Sequence, residues 1–500
     1  MTNTNAAASD IVSKLWSLCH LLRDDGVTYH EYVNELTFLL FLKMMQETSQ
    51  EDCLVVFKAP RKGASKQLQT GMRWSDLMHA QAPDRLNVYK SLLLDYSRNG
   101  SGTVQEIYSN AHTVISKPST LSKLVDEIDK LAWYSVHRED LGDLYEGLLA
   151  RNANEKKSGA GQYFTPRALV DSIVRVMRPE LDDVIQDPAA GTAGFLIAAN
   201  HYLRRNNDIE SLTQEQSLKY RRNTFYGMEL VQDAHRLALM NMLLHGIEGG
   251  VRAGDTLGVE GAKLPSATLI LSNPPFGTKK GGGLPARDDL AFPTTNKQLC
   301  FLQHIYQGLE VGGRAAVVLP DNVLFDSNVG VEIRRDLMEK CNLHTILRLP
   351  TGIFYAQGVK TNVLFFTRGI SDTANTKDVW VYDLRANIPQ FGKRTLLTQE
   401  YFSDFEIAFG NDPLGRPENT VNRKDTGEEG RFRKFTREWI SARGENLDIA
   451  WLKDDGDGLS YEFLEPGDLA RDAMAELDGA LEELRGILAE LGEDVEELEI

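Results

Sequence analysis

VIQDPAAGTAGFLIAANHYL, residues 184–203, holds a strand, a turn and a helix in close succession. The β-rich run VIQD ends on Asp187, a Gly/Ala turn follows, and FLIAANHYL has apolar residues at helical spacing. The texture repeats downstream. TFYGME, TLILSNPP, AAVVLP, HTILRLP, NVLFFTR and VWVYDL are further β-rich runs set between helical patterns, so seven strands are predicted. Strands alternating with helices predict an α/β fold: a doubly wound, mostly parallel seven-stranded sheet covered on both faces. Ligands of such sheets bind outside the carboxyl ends of the strands.

The residues at those ends suit a cofactor. After Asp187, Gly191 and Gly194 let a ligand approach the backbone, and the helix N-terminus presents free N–H groups. The GxGxxG dinucleotide fingerprint is absent. Glu229 closes the run TFYGME, where a carboxylate can accept both hydroxyls of a ribose. Asp255, in AGDTL, can accept from an adenine amino group. Singly, each acid is more often a helix cap or a solvated group; as an ordered set they suggest a nucleoside-bearing cofactor. Upstream lies SGAGQYFTPRALV. Thr165 reads as an N-cap and Pro166 as the first residue of a helix, with Gln162, Tyr163 and Phe164 as further contacts. A plain capped helix start has the same pattern.

Asn273-Pro274-Pro275-Phe276 follows the run TLILS. An sp2 amino group on adenine or cytosine is a poor nucleophile, because its lone pair is delocalised into the ring. Hydrogen bonds accepted from both of its hydrogens, by Asn273 Oδ1 and the Pro274 carbonyl, push density back onto nitrogen. Pro275 stiffens the turn, and Phe276 offers a face on which a base can stack, worth roughly 1–3 kcal/mol. A methyl sulfonium nearby completes an in-line displacement governed mostly by orientation. This chemistry needs neither a metal nor a covalent nucleophile. A base reaches such a pocket only by leaving the duplex. The next segment, GTKKGGGLPARDDLAFPTTNKQ, starts Gly-rich and basic.

Five hundred residues exceed one ordinary domain. Residues 1–151 read as a helical domain, carried by HEYVNELTFLLFLKMMQE, RLNVYKSLLLDY, TLSKLVDEIDKLAWY and REDLGDLYEGLLAR. Residues 152–410 form the α/β domain and 411–466 an irregular region. In 467–500, apolar residues step alternately four and three from Ala470 to Leu498, a coiled-coil seam. Gly479, Gly486 and Gly492 fall between these steps, each costing about 1 kcal/mol relative to alanine in a helix interior. The net charge of −17 argues against a nucleic-acid partner, but this last segment carries −10 of it. The mildly acidic remainder holds basic pairs such as Lys279-Lys280, enough to touch phosphates locally and too few to hold DNA alone. No apolar run is long enough to span a bilayer, no signal peptide opens the chain, and the four scattered cysteines form no CxxC pair. A cytoplasmic protein without membrane contact is expected.

In order, GQYFTP, DPAAGTAGF, GMEL, GDTL and NPPF resemble the amino-type DNA adenine methyltransferases that place cofactor motifs before the catalytic one. LWSLCHLLRDDGVTYHEYVNELTFLLFLKMM, GRAAVVLPDNVLF and LPTGIFYAQGVKTNVLFFTRG resemble the modification subunit of type I restriction–modification systems, of the K-type family. The likeness spans roughly residues 10–383. It implies an S-adenosylmethionine-dependent N6-adenine methyltransferase acting on double-stranded DNA. It also implies a complex: two copies of this chain flank one specificity subunit that reads the DNA, and a restriction subunit joins for cleavage. The helical domain would help clamp DNA and the acidic helix would dock on the specificity subunit. Asn273, Pro274, Pro275 and Phe276 would hold the flipped adenine. The cofactor set would be Gln162, Tyr163, Phe164, Thr165, Pro166, Arg167, Asp187, Ala189, Gly191, Thr192, Ala193, Gly194, Glu229 and Asp255, with no metal. Two alternatives remain: methylation of another planar amine or amide, such as an RNA base or a protein glutamine, and a non-catalytic scaffold of the same fold.

Overall fold

The computed structural model describes residues 14–15, 17–18, 29–49, 51, 73–100, 102–131, 133, 165–277, 284–354, 359–389, 391, 395, 397–420 and 423–452. The expectations for Gln162, Tyr163, Phe164, the helical run 138–151 and the seam at 467–500 lie outside these residues. In the N-terminal part the helices are α1 (Tyr29–Glu47), α2 (Trp74–His79), α3 (Ala82–Asn99), α4 (Gly102–Ile107) and α5 (Pro118–Asp129). Then come α6 (Arg167–Met177), β1 (Ile185–Asp187), α7 (Gly194–Asn206), α8 (Gln214–Asn223), β2 (Phe225–Glu229), α9 (Gln232–Leu244), β3 (Val251–Ala253) and β4 (Ala267–Ser272). They are followed by α10 (Lys297–Gly308), β5 (Leu309–Pro320), α11 (Val329–Lys340), β6 (Cys341–Arg348), β7 (Thr361–Arg368), β8 (Asp378–Asp383) and β9 (Phe432–Thr436). None of the described helices is long and apolar enough to cross a membrane.

The chain divides into two compact units. The first takes Met1–Lys156, Gly191–Ala193 and Val231–Val251; the second takes the rest. In the first, α3 follows from spacing: Leu86, Tyr89, Leu92, Leu93 and Tyr96 recur every three or four residues and are buried. Gly100 caps the helix, its N–H donating to the Tyr96 carbonyl (3.0 Å), and glycine is required there because a Cβ would lie 2.5 Å from that oxygen. Arg236 of α9 donates to the carbonyls of Ile107 (2.8 Å) and Ser109 (3.0 Å), satisfying acceptors at the end of α4.

The second unit is built on the sheet, whose order is β3-β2-β1-β4-β5-β7-β6-β8-β9. This corrects the predicted seven-stranded, mostly parallel sheet: nine strands are present among the described residues, and their directions are mixed. Pairs β1/β2, β1/β4, β4/β5 and β6/β8 are parallel, whereas β5/β7, β6/β7 and β8/β9 are antiparallel. The two extra strands are β3, three residues long and mostly exposed, and β9, FRKFT, which lies in the stretch expected to be irregular. Both are edge strands, where short length and interleaved charge are usual and apolar runs are not. The strand β7 runs antiparallel to both β5 and β6, and no crossover helix lies between β6 and β7 among the described residues.

Side chains of α10, α11, β5, β6 and β7 form one core that includes Leu302, Ile305, Leu337, Met338, Val317, Ile346 and Phe366. At the amino end of the sheet, Arg314 grips Asp183 through two bonds of 3.0 and 2.8 Å. The same guanidinium donates to the carbonyls of Met177 and Arg178 at the end of α6. Burial raises the Asp183 carboxyl, but the Arg314 bonds and charge outweigh it, with help from Thr268 and the Glu180 N–H, and hold it below its ordinary range.

Candidate active site

The strand order reverses between β1 and β4, the switch point at which an α/β sheet opens a crevice beyond its carboxyl ends. Asp187 ends β1 and Ser272 ends β4. The two strand ends are tied together there. Asp187 Oδ1 accepts from the Ser272 hydroxyl at 2.7 Å and from the Ala189 N–H at 3.0 Å. Burial pushes the Asp187 carboxyl up to about 7; the two donors oppose this and the negative charge of Glu229 adds to it.

The loop after β1 is held at several points. Ala190 N–H donates to the Met228 carbonyl (3.0 Å), and the Thr256 hydroxyl donates to the Pro188 carbonyl (2.5 Å). Within the first unit, Asn241 Nδ2 donates to the Thr192 carbonyl at 3.0 Å. Gly191 (φ +54°) and Ala193 (φ +68°) are both left-handed. For alanine that conformation is strained, and such strain collects where a backbone must meet a ligand. A Cβ built on Gly191 or Gly194 meets nothing within 4 Å, so the backbone is approachable at both. Glu229 is half-buried at the end of β2, and its carbonyl accepts from the Gly254 N–H (3.0 Å). Half-buried Asp255 spends Oδ1 on the Leu257 N–H (2.9 Å), closing its own turn.

Asn273 follows β4 directly. Its Nδ2 donates to Thr165 Oγ1 at 2.9 Å, whereas its buried Oδ1 accepts no hydrogen bond among the described residues. A buried amide oxygen left without a donor is costly unless a ligand completes it. Thr165 therefore differs from expectation. The helix α6 starts at Arg167 with Pro166 in the cap position and no side-chain cap, so the threonine oxygen serves Asn273 instead. Arg167 pairs with Asp171 one turn on, at 3.0 Å. Pro274 is buried and Pro275 exposed. Phe276 is half-buried and meets Phe354 edge-on, with ring centroids 6.0 Å apart and planes at 78°. Gly277, at φ +101°, turns the chain out of the site.

Within the second unit the crevice thus has an amide oxygen without a partner among the described residues, a stiff proline turn, an aromatic face and an open glycine position at Gly194. These features fit a planar amine and a nucleoside cofactor. The roles of Ser272, Thr256, Asn241 and Phe354 escape the pattern of the sequence. Only the position of Ser272, between strand and tetrapeptide, marks it in advance.

A family model described as "N-6 DNA Methylase" matches residues 136–453, and one described as "HsdM N-terminal domain" matches residues 11–128. The chain is 48% identical to the type I restriction enzyme StySJI methylase subunit of Salmonella typhimurium and 48% identical to the EcoKI methylase subunit of Escherichia coli K12. Each match covers 97% of this chain and 96% of the relative. The crystal structure of the EcoKI M protein matches with a TM-score of 0.54 at 44% identity, over 97% of both chains.

Proposed function

From the premise that the chain belongs to the N-6 DNA methylase family and is a methylase subunit of the type I restriction class, we propose that Asn273 to Phe276 hold a flipped adenine while the loops after β1, β2 and β3 hold S-adenosylmethionine. The chain is an adenine-specific DNA methyltransferase. The observation that carries the site assignment is the Asn273 amide. Its nitrogen is tied to Thr165, which leaves the buried oxygen to accept from the adenine amino group. Had the amide turned over, it would present a donor to a donor. The Pro274 carbonyl accepts the second amino hydrogen, so the N6 lone pair is drawn out of the ring toward the incoming methyl group. Phe276 stacks on the base.

The bound cofactor supplies an electrophilic methyl group on a sulfonium. Glu229 would accept from the ribose hydroxyls, Asp255 from the adenine amino group, and the backbone at Gly191, Thr192, Ala193 and Gly194 would hold the rest of the cofactor. Asp187 works from beneath, holding the Ala189 N–H and Ser272 so that the two loops share one anchor. Thr165, Pro166 and Arg167 would add to the cofactor set, and the resemblance extends it to Gln162, Tyr163 and Phe164, which lie outside the described residues.

Sequence specificity comes from a partner. We place two copies of this chain on one specificity subunit, with a restriction subunit joining for cleavage, in the cytoplasm where the host DNA lies. The mild charge of residues 1–466 supports this, since little non-specific affinity is available without a partner's phosphate contacts. The test is co-expression with a specificity subunit, followed by mapping of N6-methyladenine. Asn273→Ala should assemble normally and lower methyl transfer at least about a hundredfold. A variant that methylates at the parent rate refutes the assignment of Asn273.

A further inference from the structure

The loops after β1, β3 and β4 meet at a buried arginine that neither the motifs nor the proposed chemistry use. Arg287 follows the tetrapeptide by eleven residues along the chain, and its side chain is 4% exposed. It grips Asp289 with two bonds of 2.5 Å and reaches across to the Thr256 carbonyl at 2.8 Å. Thr256 stands next to Asp255, and its hydroxyl holds the Pro188 carbonyl. One chain of contacts therefore runs from Asp289 through Arg287 and Thr256 to the loop that begins with Asp187.

Two further observations make this a built junction. Leu257, Leu290, Cys300 and Phe301 form a small apolar core, and Ala189 packs against it, so the same three loops also share buried apolar surface. At Gly261 a Cβ would lie 1.8 Å from the Thr256 carbonyl oxygen and 2.8 Å from Arg287 Nη1, so only glycine permits the approach. Beside the guanidinium, His304 Nδ1 lies 3.3 Å from Nη1. Burial, and secondarily the Arg287 charge, lowers this imidazole to about 4, so it is neutral near pH 7 and offers its nitrogen as an acceptor.

We propose that Arg287 is a positioning residue for the cofactor. It holds the turn that carries Asp255 and, through Thr256, the carbonyl of Pro188, so that the segment following the tetrapeptide and both cofactor loops adopt their places together. This rests on the reading that Asp187, Ala189 and Asp255 line the cofactor pocket. Arg287 itself touches neither substrate.

The test uses the assembled complex, with initial rates measured at varied S-adenosylmethionine and at varied duplex. Arg287→Lys keeps the charge but cannot span Asp289 and Thr256 at once. It should raise the KM for the cofactor about tenfold, the size expected for losing a charge-assisted bond, and leave the KM for DNA within about twofold. Thr256→Val should raise the same KM, and Thr256→Ser should restore it. The double variant Arg287→Lys/Thr256→Val should be no worse than the weaker single one, because the contacts lie in series. An unchanged cofactor KM overturns the proposal. So does a parallel rise of both KM values with a lowered melting temperature, which marks a merely structural residue. A parent complex that neither binds the cofactor nor methylates adenine fails before any substitution, and overturns the underlying reading instead.

Discussion

Thr165 shows how one atom changes the meaning of a motif. A threonine before a proline is a good helix start on local grounds, yet its oxygen is taken by Asn273, 108 residues away. If that bond orients the amide, Thr165→Val should lower kcat about ten- to a hundredfold, and Thr165→Ser should keep most of it. Equal rates for all three proteins would remove the orienting role. Asp187 makes a second prediction at this scale. Its folded carboxyl titrates at about 7, above its unfolded value, so the folded state keeps a proton that the unfolded state releases from about pH 4 upward. Stability from this group is present at low pH, falls as pH rises toward about 7, and is level above it. Asp187→Asn keeps an oxygen for Ser272 and the Ala189 N–H and removes the titration. Urea midpoints of variant and parent should diverge in the variant's favour between about pH 5 and 7; a constant difference argues against a raised carboxyl.

Among the elements, the strands with long apolar runs were legible and the edge strands were not. TLILS and AAVVLP sit in the middle of the sheet, buried on both faces, and read as continuous apolar stretches. The strand β9 sets two charged residues, Arg433 and Lys434, between buried Phe432 and Phe435, so it shows neither a continuous apolar run nor a period of two and reads as an ordinary surface segment. Strand direction was not legible either: NVLFFTR reads alike in both directions, and only its register against β6 shows it to be antiparallel. Arg314 joins elements whose contact no periodicity announces. Its replacement by Leu should strand Asp183 as a buried charge and cost about 3–5 kcal/mol, read as a lowered urea midpoint. Because the paired carboxyl is held below its ordinary range, the contribution of the pair is full at neutral pH and is lost as pH falls through the acid range. A midpoint unchanged by Arg314→Leu would show that the pair is not needed.

At the scale of the molecule, charge and seam point to assembly. The segment 467–500 carries −10 and an unbroken apolar step pattern, which suits a helix laid on a partner. Leu484→Asp should release the specificity subunit while S-adenosylmethionine binding persists, as measured by co-purification and calorimetry; intact assembly would sink the docking assignment. The sequence by itself determined the class of chemistry, the order of the motifs and the alternation of strands with helices. These depend on residue type and on spacing along the chain, through periods of two and 3.6 residues. The tertiary structure alone decided which way the Asn273 amide faces, that Asp187 ties β1 to β4, and that Arg287 joins three loops. Those bonds link residues that meet only once the sheet is in register and its strand ends are buried. Neither register nor burial is written in the local pattern of any one segment.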